Sequence, residues 1–341
     1  MEPLEFLSSF FDSDSSIPTS YSTTSDSQKK KKKKRTKLLY YFDPTTSKRQ
    51  YFSIPEKIVY YAAKNATSST MFQKLLQTCK YFFIINPVVI VPLLKCFYGD
   101  WYACNSVGKK CFQFKDSQTL HFKVWIQHEF DSYSGNVSRI FPWIYKCDAK
   151  TVCFGSLKQC LTFEEFMYIA GNAKKLRMFS QPVKYSNGEN VLLEDIIKNL
   201  PKLKSLHFSF ADDESDVTET TAYKLLEIQH FKQMSHITLS NIPETLDIGT
   251  MFDFILENKH KKINLSYRSQ ISDLCKELIR EFSDRLRNES GCDSIIQCYE
   301  HYVPSLYSTI SLYSLSSSDG ELMFPWNEEN DEEWEFPWDK E

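Results

Sequence analysis

The chain has 341 residues, 42% hydrophobic and 25% charged, a composition that supports a sizeable core and about two domains with tails. Its formal charge of −3 gives no global attraction to nucleic acid, and nine glycines leave little room for phosphate-cradling loops. The GxGxxG, GxxxxGK[ST], GxSxG, HExxH and EF-hand patterns are all absent from the sequence, so none of those chemistries is signalled.

Residues 1–28 carry five acids and no base, and residues 29–37 carry eight bases. The segment 1–37 is Ser/Thr-rich, then basic, with too little apolar periodicity to bury itself, so a disordered tail is expected. Lys29, Lys30, Lys31, Lys32, Lys33, Lys34, Arg35 and Lys37 have the composition of a nuclear-import signal. A solvated tail is the plainer alternative, and specific nucleic-acid binding is not expected. The opening Met1-Glu2-Pro3-Leu4-Glu5-Phe6 lacks the basic and apolar stretches of a secretory leader. The most apolar run, Phe82 to Leu94, is 13 residues long and interrupted by Pro87 and Pro92, too short to span a bilayer. The expected location is cytoplasm, nucleus or both, with no membrane contact and with the ten cysteines reduced and mostly buried.

A helical element is expected over 50–97. Pro55 and Glu56 suit a first helical turn, and Ile58, Val59, Tyr61, Ala62 and Ala63 continue it. After a loop at Asn65 to Ser69, a second helix starts at Met71 with Phe72, Leu75, Leu76, Cys79, Phe82 and Phe83 at three- and four-residue spacing. Asn86-Pro87 ends it. The apolar segment Val88 to Phe97 reads as a third short helix. Three such helices cannot enclose a core, so they should lean on a partner or on the downstream part of the chain. Residues 98–140 form a linking segment with β-like runs at Lys110 to Phe114 and His121 to Ile126.

Over 141–290 a repeat emerges. Val152, Leu176, Leu206, Ile237 and Ile263 are the anchors of five short strand-like cores, spaced 24, 30, 31 and 26 residues apart. Helical stretches lie between them at Thr162 to Ala170, Leu192 to Leu200, Thr221 to Phe231 and Ile248 to Glu257, with Thr162 and Glu165 as a capping box. A last helix, Ile271 to Leu286, would cap the array. The expected fold class is α/β, an irregular leucine-rich-repeat-like solenoid with parallel strands; an open α/β sheet is the alternative. A period of two turns Cys153, Arg177, His207, Thr238 and Asn264 outward. Arg177, His207, Thr238 and Asn264 are therefore the candidate substrate-binding residues of a concave face.

Residues 314–341 are Ser-rich and then acidic, with nine acids and one base after residue 320. A disordered acidic tail is expected, carrying Phe324-Pro325-Trp326 and Phe336-Pro337-Trp338 as candidate docking anchors. A third copy, Phe141-Pro142-Trp143, is expected in the core.

Catalytic candidates are weak. Cys147, Cys153 and Cys160, with His121 and His128 upstream, have gaps that do not match zinc-knuckle spacing and read as buried thiols. His207, His230, His236 and His260 fall at strand starts and helix ends, where capping explains them. No catalytic residue, metal or cofactor is assigned, and the chain is not expected to be an enzyme.

Two stretches carry a resemblance. Phe52-Ser53-Ile54-Pro55-Glu56-Lys57-Ile58 and Phe72-Gln73-Lys74-Leu75-Leu76-Gln77-Thr78-Cys79-Lys80-Tyr81-Phe82 resemble the opening and the second helix of an F-box. With Leu200-Pro201-Lys202-Leu203 and Asn241-Ile242-Pro243-Glu244 downstream, residues 50–286 resemble an F-box-like family expanded in nematodes. Two departures stand out: Ile-Pro replaces Leu-Pro, and the loop Lys64 to Thr70 is longer and more polar. The resemblance implies a substrate receptor of a Skp–cullin–F-box ubiquitin ligase. It would bind a Skp-type adaptor through Ile54, Pro55, Ile58, Leu75, Leu76, Cys79 and Phe82, and a protein substrate on the repeats. The alternative is a non-catalytic nuclear scaffold that works through the repeat surface and the charged tails.

Overall fold

The computed structural model describes residues 54–78, 81–97, 99–104, 111–114, 122–132, 136–155, 160–213, 216–288 and 291–298. The Lys29–Lys37 run, Cys79, His121 and the acidic Phe-Pro-Trp tail lie outside the described residues. The chain divides into two compact units, 1–58 with 326–341, and 59–325. Of the first unit only Ile54 to Ile58 are described.

Helices α1 (Glu56–Lys64), α2 (Ser69–Thr78) and α3 (Tyr81–Ile85) come first. Val59 and Ala63 of α1 bury with Phe82 of α3, and Leu75, Leu76 and Ile85 pack against them. That cluster is too small to stand alone. Phe72, fully buried against Val88 and Trp125, ties it to the sheet. Asn86 Nδ2 donates to Ala63 O at 2.9 Å, and Tyr145 OH donates to Lys64 O at 3.3 Å.

Val88–Phe97 is not a helix but the strand β1. Its β-branched run Val88-Val89-Ile90-Val91 suits a strand buried on both faces, and it pairs in parallel with β4 (Lys123–Ser132). Pro92 has no N–H for the ladder, and the β1–β4 register shifts at that point, between Val91 and Leu93. β2 (Asp100–Cys104) and β3 (Cys111–Phe114) add to the other side of β1 as antiparallel strands. Cys104 is disulfide-bonded, so the all-thiol expectation fails there.

From β4 onward the chain repeats one step. A four-residue helix α4 (Val137–Ile140), a 3₁₀ turn (Phe141–Trp143) and the short β5 (Ile144–Cys147) lead to β6 (Thr151–Phe154). Phe141-Pro142-Trp143 is that turn, and none of its residues is buried, contrary to the core expectation. A two-stranded ribbon, β7 (Leu161–Thr162) with β9 (Val183–Lys184), flanks helix α5 (Phe163–Ala170) and β8 (Lys175–Phe179). Helix α6 (Leu193–Lys198) leads to β10 (Ser205–Ser209). Helices α7 (Thr221–Glu227) and α8 (Gln229–Lys232) lead to β11 (His236–Ile242), and α9 (Ile248–Glu257) to β12 (Lys262–Tyr267). Finally, α10 (Asp273–Arg287) leads to β13 (Ile295–Cys298). The expected helix 221–231 is thus two, broken where Ile228 takes an extended backbone. The expected terminal cap α10 is followed by one more strand.

Among the described residues eleven strands form one sheet. Its order is β13-β12-β11-β10-β8-β6-β4-β1-β2-β3, with β5 beside β4, and every pair from β1 to β13 other than β1–β2 and β2–β3 is parallel. From β4 to β13, leaving aside the short β5, β7 and β9, each strand lies beside its predecessor. Right-handed crossovers between adjacent parallel strands that always step the same way put every connecting helix on one face. Neighbouring helices accordingly touch: Phe231 stacks on Phe254 at 5.9 Å, and Phe252 on Phe282 at 4.1 Å. Val152, Leu176, Leu206, Ile237 and Ile263 are at most 1% exposed and sit in register beneath those helices. Each such aliphatic side chain contributes about 1.5–3 kcal/mol by burial.

Candidate interaction surface

The residues that alternate with these anchors point to the opposite face, because successive side chains of a strand leave it on opposite sides. The register aligns them into one row: Asp131↔Cys153, Cys153↔Arg177, Arg177↔His207, His207↔Thr238, Thr238↔Asn264 and Asn264↔Ile295. The five positions read as outward in the sequence, Cys153, Arg177, His207, Thr238 and Asn264, therefore do stand side by side. Cys153 is buried and the other four are half-buried. Asp131 and Lys95, which stand opposite each other at the β1 end of the row, carry no repeat signal in sequence. They belong to the segment before the repeats begin, so only strand pairing could have found them.

Electrostatics organises the row into distinct parts. Arg177 Nη2 lies 3.9 Å from Glu129 Oε1, bridging β8 and β4 over the intervening β6. Burial, helped by the neighbouring Asp131, holds the Glu129 carboxyl above its ordinary value, while Arg177, Lys95 and Lys175 pull it back. Burial also pushes the Cys153 thiol well above the usual range, as does a hydrogen bond to Asp131. Cys153 is thus a protonated thiol at neutral pH, not a nucleophile. His207 is pushed down to about 4 by burial and by the Arg177 charge, so its imidazole is neutral. The His207 ring meets Phe179 edge-on, with centroids 5.0 Å apart. Further along, Asn264 Oδ1 is buried and accepts no hydrogen bond among the described residues. Such an acceptor costs about 1–3 kcal/mol unless a donor reaches it.

The row offers a cation, a neutral imidazole, a hydroxyl and an unmet amide oxygen on a rigid sheet. Among the described residues no group of three or more His, Cys, Asp or Glu is placed to hold a metal ion. Cys147 is buried, with its thiol pushed up to about 12 by burial. His230, His236 and His260 do not join the row. His230 Nε2 meets Ile197 O at 2.8 Å, and His236 Nδ1 meets Ser235 Oγ at 2.9 Å.

The residues assigned to adaptor binding divide. Ile54 and Ile58 are 53% and 56% exposed, and Pro55 is exposed as well. Leu75 and Leu76 are half-buried against the chain's own clusters, and Phe82 is 7% exposed beside Val59 and Ala63. These three are consumed by folding, because the second and third helices rest on the sheet. Tyr60, Tyr61, Met71 and Ile84 of the same helices are exposed, and no pattern in the sequence marks them as a surface.

No known protein-family model, curated protein or solved structure matches the chain. Among the described residues, no helix is long and apolar enough to cross a membrane.

Proposed function

We propose that the chain is a non-catalytic substrate receptor of a Skp–cullin–F-box ubiquitin ligase. Its sheet from β4 to β13 is read as an irregular leucine-rich-repeat-like solenoid whose face opposite the connecting helices holds the protein substrate. The observation that carries this reading is the in-register row from Asp131 to Asn264 on the face without connecting helices. Repeat arrays use such a face for binding. The adaptor contact is assigned to the exposed start of α1, Ile54, Pro55 and Ile58, since Leu75, Leu76 and Phe82 serve the internal packing. Catalysis by such a receptor is proximity alone: it raises the substrate's local concentration at a separate transferase.

The test is capture of the full chain by purified Skp-type adaptor, with Ile58→Asp alongside. Capture of the wild type and its loss in a variant of unchanged melting temperature supports the reading. A folded wild-type chain that is not captured overturns it.

A further inference from the structure

The same topology gathers charge at the sheet's edges. A parallel strand starts where the preceding helix ends, so the residue just before each strand falls on one edge. That edge is joined by backbone hydrogen bonds. Lys150 N donates to His128 O, Lys174 N to Lys150 O, Lys204 N to Lys174 O, Ser235 N to Lys204 O and Lys262 N to Ser235 O, at 2.8–3.2 Å. Lys175 and Lys262 open their own strands beside it. Lys150, Lys174, Lys175, Lys204 and Lys262 are all exposed. With strands about 4.8 Å apart, they form a strip on the order of 20 Å long.

Helix C-termini lie on this edge, and lysines there can serve as caps. Two do: Lys202 Nζ donates to Asn172 Oδ1 at 2.7 Å, and Lys261 Nζ donates to Asn258 Oδ1 at 2.6 Å and to Lys232 O. Lys150, Lys174, Lys204 and Lys262 make no side-chain hydrogen bond or salt bridge among the described residues. The acids of the opposite edge are committed instead. Asp216 Oδ2 accepts from Ala211 N, Asp247 Oδ1 from Gly249 N, and both Glu244 carboxylate oxygens from Ser272. These three acids serve the fold, while the edge lysines stand side by side with like charge, a cost that an anionic partner reduces.

We propose that this lysine edge seats an extended acidic segment of the partner polypeptide, lying across the strands and continuous with the receptor face. The proposal rests on the receptor reading and names the class of substrate it favours: a protein with an Asp/Glu-rich stretch. A single row favours an extended peptide over a nucleic-acid duplex, which needs a basic surface of groove width. Nearby acids set the same limit: Glu129, opposite Thr151 at the start of β6, and Asp148, two residues before Lys150, oppose a broad polyanion.

The probe is a labelled twelve-residue alternating Glu-Ser peptide, read by fluorescence anisotropy at low salt. A Gln-Ser peptide and a twelve-nucleotide single-stranded DNA serve as comparators. The full chain is used with Lys29 to Lys34 replaced by Gln, so that the basic arm does not contribute. Saturable binding of the acidic peptide, weakened at least tenfold by Lys174→Glu with Lys204→Glu and unaltered by Lys74→Glu, supports the proposal. Absence of binding, binding indifferent to the edge lysines, or tighter binding of the DNA through them overturns it. Adaptor capture, measured on the same variants, fails or succeeds independently of these outcomes.

Discussion

Arg177 and Glu129 meet at 3.9 Å across two strand spacings, the Arg177 side chain 37% exposed and the Glu129 side chain 16%. The pair ties β8 to β4 across β6, and the Arg177 charge favours the ionised Glu129 carboxyl.

Replacing Arg177 by Gln leaves Glu129 half-buried beside Asp131, with its carboxyl raised further. A carboxyl raised in the fold adds stability below its unfolded pKa, and that contribution is lost as pH rises through the folded value. The destabilisation by Arg177→Gln is therefore expected to be larger at pH 7 than at pH 4, on the order of 1 kcal/mol after screening of the exposed guanidinium. Paired thermal melts at the two pH values check it.

His207 titrates near 4 in the fold, against about 6.5 when unfolded. A depressed imidazole stabilises above pH 6.5, and that stability is lost as pH falls toward 4. Replacement by Gln should flatten the stability profile between pH 6.5 and 4, and the imidazole resonances of the wild type should titrate close to 4. A midpoint near 6.5 would contradict the burial of this ring.

Phe82 and Ile58 separate a packed position from an exposed one. Phe82→Ala empties the small cluster with Val59 and Ala63 and is expected to cost about 3 kcal/mol. Ile58→Asp changes a side chain that is 56% exposed and should stay within about 0.5 kcal/mol of the wild type. Urea denaturation of both variants distinguishes the two positions.

Thr162 accepts from Glu165 N at 3.2 Å and Glu165 Oε2 accepts from Thr162 N at 3.1 Å, a complete capping box on α5. Thr162→Ala is expected to lower the thermal stability by about 1 kcal/mol. Thr162→Asn should retain most of that stability in the same melts, because its amide oxygen can accept from the same N–H.

Local pattern is enough for much of this molecule. The five aliphatic anchors alternate with polar residues at a period of two, and burial on one face forces that register. The Thr162 capping box and the helix at Ile248–Glu257 come from short-range hydrogen bonding and periodicity, which depend only on neighbours in the chain. The run Val88 to Phe97 is different: its apolar residues carry no period, and pairing with β4, 35 residues further on, selects the strand. Pairing over that distance also places Glu129, Asp131 and Lys95 beside the repeat residues, turns Leu75, Leu76 and Phe82 inward, and sets the lysines that precede each strand along one edge. Residue spacing thus dictates which side of each element is apolar, since a helix or strand repeats by a fixed local geometry. Which elements cover that side, and which charges stay without a partner, depends on the assembled fold, because desolvation and Coulomb energies follow distances in space rather than along the chain.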